Sequence, residues 1–219
     1  MIINKLTAIQ KEIQSKFDAL GGVQSDKKII AVSKTFPISD VVPLINHGHL
    51  HFGENKVQEA IEKWANIKMD HKKLKLHMIG KLQTNKVKHA LILFDYIHSL
   101  DNLKLATKIS SEQKKLGKKI NIFIQVNIGN EDQKSGIAPN DISNFYNICV
   151  KNLELNIIGL MCLPPKNINS SIYFSQMKIL NQKIGLHELS MGMSNDYMEA
   201  LRCGATFVRI GSKIFGERD

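Results

Sequence analysis

The chain has 219 residues, 43% of them hydrophobic and 23% charged, which is typical of a globular protein and excludes a disordered or collagen-like chain. No run approaches the roughly 18 unbroken apolar residues of a membrane span, and charged side chains interrupt the amino-terminal segment where a secretory signal would be apolar, so we expect a cytoplasmic protein without a membrane partner. The net charge of +10 favours an anionic ligand, but only three of the 30 basic residues are arginines, so no nucleic-acid partner is expected.

The first predicted element is an amphipathic helix. Apolar residues recur there at steps of three or four, with polar residues between them. These apolar residues are Ile2, Leu6, Ile9, Ile13, Phe17 and Leu20. The pair Gly21-Gly22 is expected to end the helix.

Eight short apolar runs follow, and each is typical of a buried parallel strand. They cover Ile29–Ser33, His49–Gly53, Leu74–Gly80, Phe94–Ser99, Ile120–Ile128, Leu155–Leu163, His187–Met191 and Thr206–Gly211. Seven segments between them have helical patterns: Ser39–Asn46, Asn55–Ile67, Asn85–Leu93, Asn102–Leu116, Pro139–Lys151, Ser170–Ile184 and Asn195–Cys203.

This alternation predicts an α/β protein, and eight strands in about 200 residues fit a (β/α)8 TIM barrel. We therefore predict a single barrel domain over residues 1–219, with an extra helix at the amino terminus. The rival is a doubly wound sheet, which would carry a glycine-rich fingerprint after its first strand. The segment from Ser33 to Pro37 lacks that fingerprint.

The loops after the last two strands are rich in glycine and serine. They read S-M-G-M-S-N-D at 190–196 and R-I-G-S-K at 209–213. Small residues let backbone N–H groups approach an anion, and barrels often bind phosphate after strands seven and eight. The segments predict a phosphate site, although tight turns have the same composition.

Lys34 follows the first strand and is expected at the barrel mouth. Burial disfavours an ammonium ion and leaves an amine that condenses with an aldehyde or ketone. The alternative is a lysine that extends to solvent. Arg209 ends the eighth strand, and a guanidinium at that depth needs an acceptor. Together these features indicate a phosphorylated carbonyl ligand, either a sugar phosphate or pyridoxal phosphate.

Metal binding is not predicted. His49 and His51 would share a strand face beside His47, but no acidic or thiol partner has matching spacing. The cysteines are odd in number and lack disulfide or zinc-site spacing, so Cys149, Cys162 and Cys203 are expected to be buried thiols.

Six motifs carry a family resemblance over essentially the whole chain. They are A-V-S-K-T at 31–35, F-G-E-N-K-V-Q-E at 52–59, H-M-I-G-K-L-Q-T-N-K at 77–86, G-L-M-C-L-P-P at 159–165, L-S-M-G-M-S-N-D at 189–196 and V-R-I-G-S-K-I-F-G at 208–216. With them the chain resembles the pyridoxal phosphate homeostasis proteins. That family is similar to the amino-terminal barrel domain of alanine racemase.

The resemblance implies pyridoxal 5'-phosphate held as an internal aldimine on Lys34. It also implies a phosphate site at Ser194, Gly211 and Ser212, with Arg209 facing the pyridine nitrogen and Asn55 lining the pocket. Lys56 stands where the family often has an aromatic residue, and Lys213 where it often has alanine. Two extra ammonium groups there would favour a doubly charged phosphate.

The resemblance further implies a role in vitamin B6 homeostasis rather than catalysis, so no catalytic residue is predicted. Pyridoxal phosphate is an effective electron sink when an acid protonates its ring, and an arginine does not do so. Racemases of this type also use a tyrosine from a second domain, which the chain is expected to lack. We expect a monomer that supplies the cofactor to apoenzymes. A racemase-like enzyme, a Schiff-base aldolase and a role for Lys134 as a second amine remain alternatives.

Overall fold

Eight parallel strands close into a barrel in the computed structural model, which describes residues 1–18, 27–131, 133–165 and 169–217. The strands are β1 Lys28–Val32, β2 His51–Glu54, β3 Lys75–Met78, β4 Tyr96–Leu100, β5 Asn121–Val126, β6 Ile157–Cys162, β7 Glu188–Ser190 and β8 Phe207–Ile210. Each strand pairs with the next along the chain, and β8 pairs with β1 to complete the ring. The predicted (β/α)8 barrel is confirmed.

The strands form where the sequence predicts them, within two residues at either end. They are buried on both faces, as parallel strands covered by helices must be. One expectation about β2 is wrong. His49 precedes the strand instead of sharing its face with His51, and its Nε2 atom is hydrogen-bonded to the His51 carbonyl oxygen at 2.9 Å.

Helices surround the barrel in the described part of the chain. They are α1 Ile2–Asp18, α2 Ile38–Asn46, α3 Val57–Asp70, α4 Val87–Leu93, α5 Leu103–Leu116, α6 Ile142–Asn147, α7 Ser170–Lys183, α8 Tyr197–Arg202 and α9 Ser212–Phe215. The helix expected over Pro139–Lys151 is divided into a 3-10 turn, α6 and a π-helical turn at Ile148–Asn152. Helix α9 was not among the predicted segments.

The extra amino-terminal helix α1 buries Leu6, Ile9 and Ile13 against the barrel's outer layer. Its Glu12 accepts a 2.5 Å hydrogen bond from the Tyr197 hydroxyl at the start of α8. Burial and this neighbouring carboxylate raise the pKa of Tyr197. The expected end of the helix at Leu20 and Gly21-Gly22 lies outside the described residues.

The three thiols differ in burial. Cys149 and Cys162 are buried, and burial raises the pKa of each to about 12. The expectation for Cys203 is wrong, because it follows the last turn of α8 at the barrel surface and is only partly buried. Among the described helices, none is long and apolar enough to cross a membrane.

Candidate functional site

A cavity of about 890 Å³ opens at the carboxyl end of the strands. All six side chains or backbone positions predicted for the site line it: Lys34, Asn55, Ser194, Arg209, Gly211 and Ser212. They come from the ends of β1, β2, β7 and β8, so barrel closure brings them together. Sequence reasoning missed other lining residues, including Phe36, Ile79, Pro164, Ser170 and Met193.

The loop after β7 is held in one shape by its own backbone. Gly192 has a φ of +88°, and a Cβ there would lie 2.5 Å from the Ala200 Cβ, so only glycine fits. The Asp196 carboxylate accepts a 2.6 Å hydrogen bond from the Met193 N–H. The Arg209 N–H donates to the Gly192 carbonyl oxygen at 3.0 Å, which joins this loop to β8.

Two backbone N–H groups converge on one hydroxyl at the predicted phosphate loops. The N–H groups of Gly211 and Lys213 lie 3.3 and 3.5 Å from the Ser194 oxygen. These long contacts show that the two loops meet, with their small residues facing the cavity. Converging N–H groups and hydroxyls are the donor set that binds phosphate oxygens.

Arg209 is buried, with 4% of its surface exposed. One nitrogen, Nη1, donates to the Ser190 carbonyl and hydroxyl oxygens at 2.7 and 2.8 Å, and Nη2 donates to the Cys162 carbonyl oxygen at 2.8 Å. Burial lowers the pKa of Arg209, although a guanidinium stays charged in proteins. Within the described residues none of these acceptors is a carboxylate, so the buried cation favours an electron-rich ligand beside it.

A buried carboxylate anchors the backbone that leads into Lys34. The Oε1 atom of Glu54 accepts hydrogen bonds from Ser33 Oγ at 2.7 Å, Lys63 Nζ at 2.8 Å and Trp64 Nε1 at 2.9 Å. Lys63 also donates to the Ser33 carbonyl oxygen at 2.7 Å. This cluster is not predicted from the sequence, because its signal there is only a glutamate at a strand end with a lysine and a tryptophan on the next helix.

The turn after Lys34 has a strained backbone. Thr35 has a φ of 71°, which β-branched residues rarely adopt, and its hydroxyl donates to the Lys34 carbonyl oxygen at 2.5 Å. Such strain persists where the surrounding structure imposes it, and it is common at functional sites. Here it fixes the direction in which the chain leaves the barrel mouth.

Three other lysines singled out in the sequence lie around this end of the barrel. Lys134 forms an ion pair with Glu131 and donates at 3.3 Å to the carbonyl oxygen of Pro164, a cavity residue. Lys56 is exposed and pairs with a carboxylate of α3 at 2.6 Å. Lys213 Nζ lies 4.8 Å from the centre of the Tyr197 ring. The described cavity lining contains none of the three ammonium groups, so the expected extra charge is not found on its wall.

Four histidines have lowered pKa values: His77 and His98 are buried, and His49 and His51 are half-buried. Burial lowers the pKa of His49 and of His51 to about 4, and lowers the pKa values of His77 and His98 well below the usual 6.5. Among the described residues, no group of three or more His, Cys, Asp or Glu side chains is placed to hold a metal ion.

These histidines predict a stability that falls in acid. Below pH 6.5 the unfolded chain binds protons that the folded chain does not, so the free energy of unfolding decreases as the pH falls towards about 4. The expected slope is about 1.4 kcal/mol per pH unit for each histidine that stays neutral when folded. Urea unfolding at several pH values measures it. The slope should be shallower in His98→Phe and unchanged in His71→Gln, which alters an exposed ring.

Comparison with known proteins places the chain in a family. Residues 6–219 match the family model described as the alanine racemase N-terminal domain. The pyridoxal phosphate homeostasis protein of Pasteurella multocida is 36% identical over 235 residues, spanning 100% of this chain and 98% of that protein. The protein of the same name from Haemophilus influenzae is 34% identical, spanning 100% and 96%. This chain belongs to the pyridoxal phosphate homeostasis protein family.

Solved structures agree with this membership. PipY of Synechococcus elongatus is 32% identical and superposes with a TM-score of 0.87 in its form without PLP, over 99% of this chain and 100% of that one. The form of PipY with PLP bound superposes with a TM-score of 0.86 over the same shares. The family therefore includes a barrel of this shape that has been observed both with and without the cofactor.

Proposed function

We propose that this protein binds pyridoxal 5'-phosphate in the cavity at the carboxyl end of the barrel and serves its homeostasis. The observation that carries the proposal is that Lys34, Asn55, Ser194, Arg209, Gly211 and Ser212 all line one cavity. The relatives named pyridoxal phosphate homeostasis protein and the PLP-bound PipY structure support it. The amine of Lys34 matches the cofactor's aldehyde, the anion donors match its phosphate, and the buried cation of Arg209 matches its pyridine nitrogen.

Each part of the wall has a separate task. Lys34 supplies the amine, on a backbone that Glu54 anchors through Ser33. Ser194 and the backbone at Gly211 and Ser212 would hold the phosphate. When bound, the cofactor would supply an aldehyde carbon to which the Lys34 amine would be joined, with one water molecule released.

The setting of Arg209 favours a carrier over an enzyme. A guanidinium does not give up its proton at neutral pH, so it cannot supply the protonated ring that strengthens carbanion chemistry. All six proposed ligands come from one chain, so the site needs no second copy. Two apolar side chains, Leu163 and Met193, are exposed at the edge of the cavity. We propose that this edge is the surface that an apoenzyme receiving the cofactor would contact.

The proposed function is tested by absorbance of the purified protein with added pyridoxal phosphate, before and after borohydride, followed by digestion and mass spectrometry. We expect a yellow protein whose reduced label lies on the peptide containing Lys34, with negligible turnover of common amino acids. A colourless protein that a sugar phosphate traps instead would identify an aldolase. An unlabelled Lys34 peptide would refute the proposal.

Replacement of Arg209 should weaken cofactor retention more than it weakens the fold. Arg209→Lys keeps the charge but loses the planar set of donors, so we expect dissociation about tenfold faster or more. The lost bonds to Ser190 and Cys162 should lower the free energy of unfolding by about 1–3 kcal/mol. Gel filtration and urea unfolding measure the two effects.

The matched control is Arg202→Lys, because Arg202 is exposed and pairs with Glu199 at 3.0 Å. That variant should behave as wild type in both measurements. Wild-type retention in Arg209→Lys alongside a lowered free energy of unfolding would count against the proposed role of the guanidinium.

A further inference from the structure

A chain of hydrogen-bonded side chains crosses the interior of the barrel and ends at Arg209. His51 Nδ1 lies 2.9 Å from His77 Nε2, and His77 Nδ1 lies 2.9 Å from His98 Nε2. His98 Nδ1 lies 2.8 Å from the Ser190 hydroxyl, which also lies 2.8 Å from Arg209 Nη1. Branched aliphatic side chains usually fill this space in a β/α barrel.

This row of hydrogen-bonded side chains is buried along most of its length. His77, His98 and Ser190 have no exposed surface, whereas His51 is half-buried. Aromatic rings stack on the two inner histidines, Tyr96 on His77 and Phe123 on His98, each with ring centres 4.3 Å apart. The polar atoms of these rings therefore satisfy one another inside an apolar shell.

The charge of Arg209, at one end of this row of side chains, determines which atom donates in each hydrogen bond. A guanidinium only donates, so the Ser190 oxygen accepts from Arg209. If the Ser190 hydroxyl donates to His98 Nδ1, the neutral His98 keeps its proton on Nε2 and donates to His77. If His98 donated instead, the buried Ser190 proton would have no acceptor among the described residues, and leaving a buried donor without an acceptor is unfavourable.

We propose that His98 positions Arg209 by holding the Ser190 hydroxyl oxygen turned towards the guanidinium. His77 and His51 fix the tautomer of His98, so all three rings carry their proton on Nε2. The role towards the cofactor rests on the proposed function. The tautomers of the three histidines follow from the hydrogen bonds alone and do not depend on the proposed function.

The arrangement works only while the rings are neutral. A second proton on His98 would occupy Nδ1, remove the acceptor of the Ser190 hydroxyl and place a cation beside Arg209. Burial, followed by the Arg209 charge, opposes that proton and keeps the pKa of His98 low. Acid is therefore expected to loosen the Arg209 anchor.

Protonation from solvent would begin at His51, the outer end of the chain. Its pKa is lowered to about 4 by burial first and then by neighbouring charges. The charged or titratable groups around the outer histidines are Lys28, His49, Lys68, Lys75, Asp95, Tyr96 and Glu188. Asp95 raises the pKa of His51, whereas His49, Lys28 and Lys75 lower it.

The first test uses the cofactor-free protein. Nitrogen-15 NMR of labelled histidines distinguishes the two neutral tautomers from the charged ring. We expect Nε2–H tautomers for His51, His77 and His98 at pH 7, with assignments made from single His→Gln variants. A proton on Nδ1 of His98, or a charged His98 at that pH, would overturn the proposal whether or not the protein binds pyridoxal phosphate.

The second test measures cofactor dissociation in the loaded protein after dilution into an aldehyde scavenger. His98→Phe should release pyridoxal phosphate about tenfold faster, the effect of losing a hydrogen bond that orients a charged group. His98→Gln keeps one acceptor and one donor, so it should restore most of the retention. If His98→Phe fails to fold, Ser190→Ala replaces it with the same expected result.

The pH profile separates positioning from mere packing. Dissociation from the wild type should accelerate as the pH falls towards the titration of the histidines, and the ratio of its rate to that of His98→Gln should change with pH. Equal rates in wild type and both His98 variants would refute the positioning role. A wild type that never retains pyridoxal phosphate refutes the proposed function instead, and leaves the tautomer result standing.

Discussion

Lys34→Ala should abolish the covalent retention of pyridoxal phosphate while the barrel stays folded. Lys34 is only half-buried, and the cluster that anchors its backbone acts through Ser33, so removal of the amine leaves that cluster intact. Phosphate and ring contacts would remain, and they hold the ligand reversibly. Borohydride reduction followed by intact-mass measurement should therefore detect one label on the wild type and none on the variant.

Lys56→Ala is the matched control, because Lys56 is exposed and its ammonium pairs with Glu59 at 2.6 Å. It should accept the label as wild type does. Full labelling of Lys34→Ala would contradict the assignment, and the digest would then report whether Lys134 had taken the cofactor.

Glu54→Gln should cause the largest loss of stability among conservative changes near the site. Glu54 is 2% exposed, and its carboxylate is shared by Ser33, Lys63 and Trp64. Removing one partner of a buried ion pair leaves the other charge uncompensated, which costs about 3–5 kcal/mol. Urea unfolding followed by circular dichroism measures the change.

Glu59→Gln on α3, the helix that carries Lys63 and Trp64, provides the comparison, since the Glu59 carboxylate is exposed and exposed pairs contribute about 0–1 kcal/mol. We expect little change there. If Glu54→Gln were as stable as Glu59→Gln, the buried cluster would not anchor the Lys34 backbone as inferred.

The sequence predicted the barrel because alternation along the chain is a local property. Each strand is a short apolar run, and each helix has its own periodicity, so all eight strands could be located to within two residues. The cavity residues could be predicted once the strands were located. Lys34 and Ser194 lie in the loops that follow β1 and β7, and the carboxyl ends of parallel strands must meet.

The interior network could not be predicted in this way. His77 pairs in register with Gly53 rather than with His51, so the contact between the two histidines depends on the stagger of the strands. The register between β4 and β5 also shifts near Ile97. Sequence spacing does not specify such offsets, so the sequence singles out only His47, His49 and His51, as possible metal ligands, and gives no sign of the contacts of His77 and His98.

The hydrogen bond between Glu12 and Tyr197 limits how this barrel can be used in protein engineering. The strand–helix units of a barrel can be exchanged between proteins to make chimeras. The unit that carries Ser194, however, is hydrogen-bonded to a helix from the opposite end of the polypeptide. A chimera that imports β7 and α8 without α1 would leave a buried phenol without its carboxylate. Transplanting the proposed phosphate site at Ser194 into another scaffold therefore requires both segments.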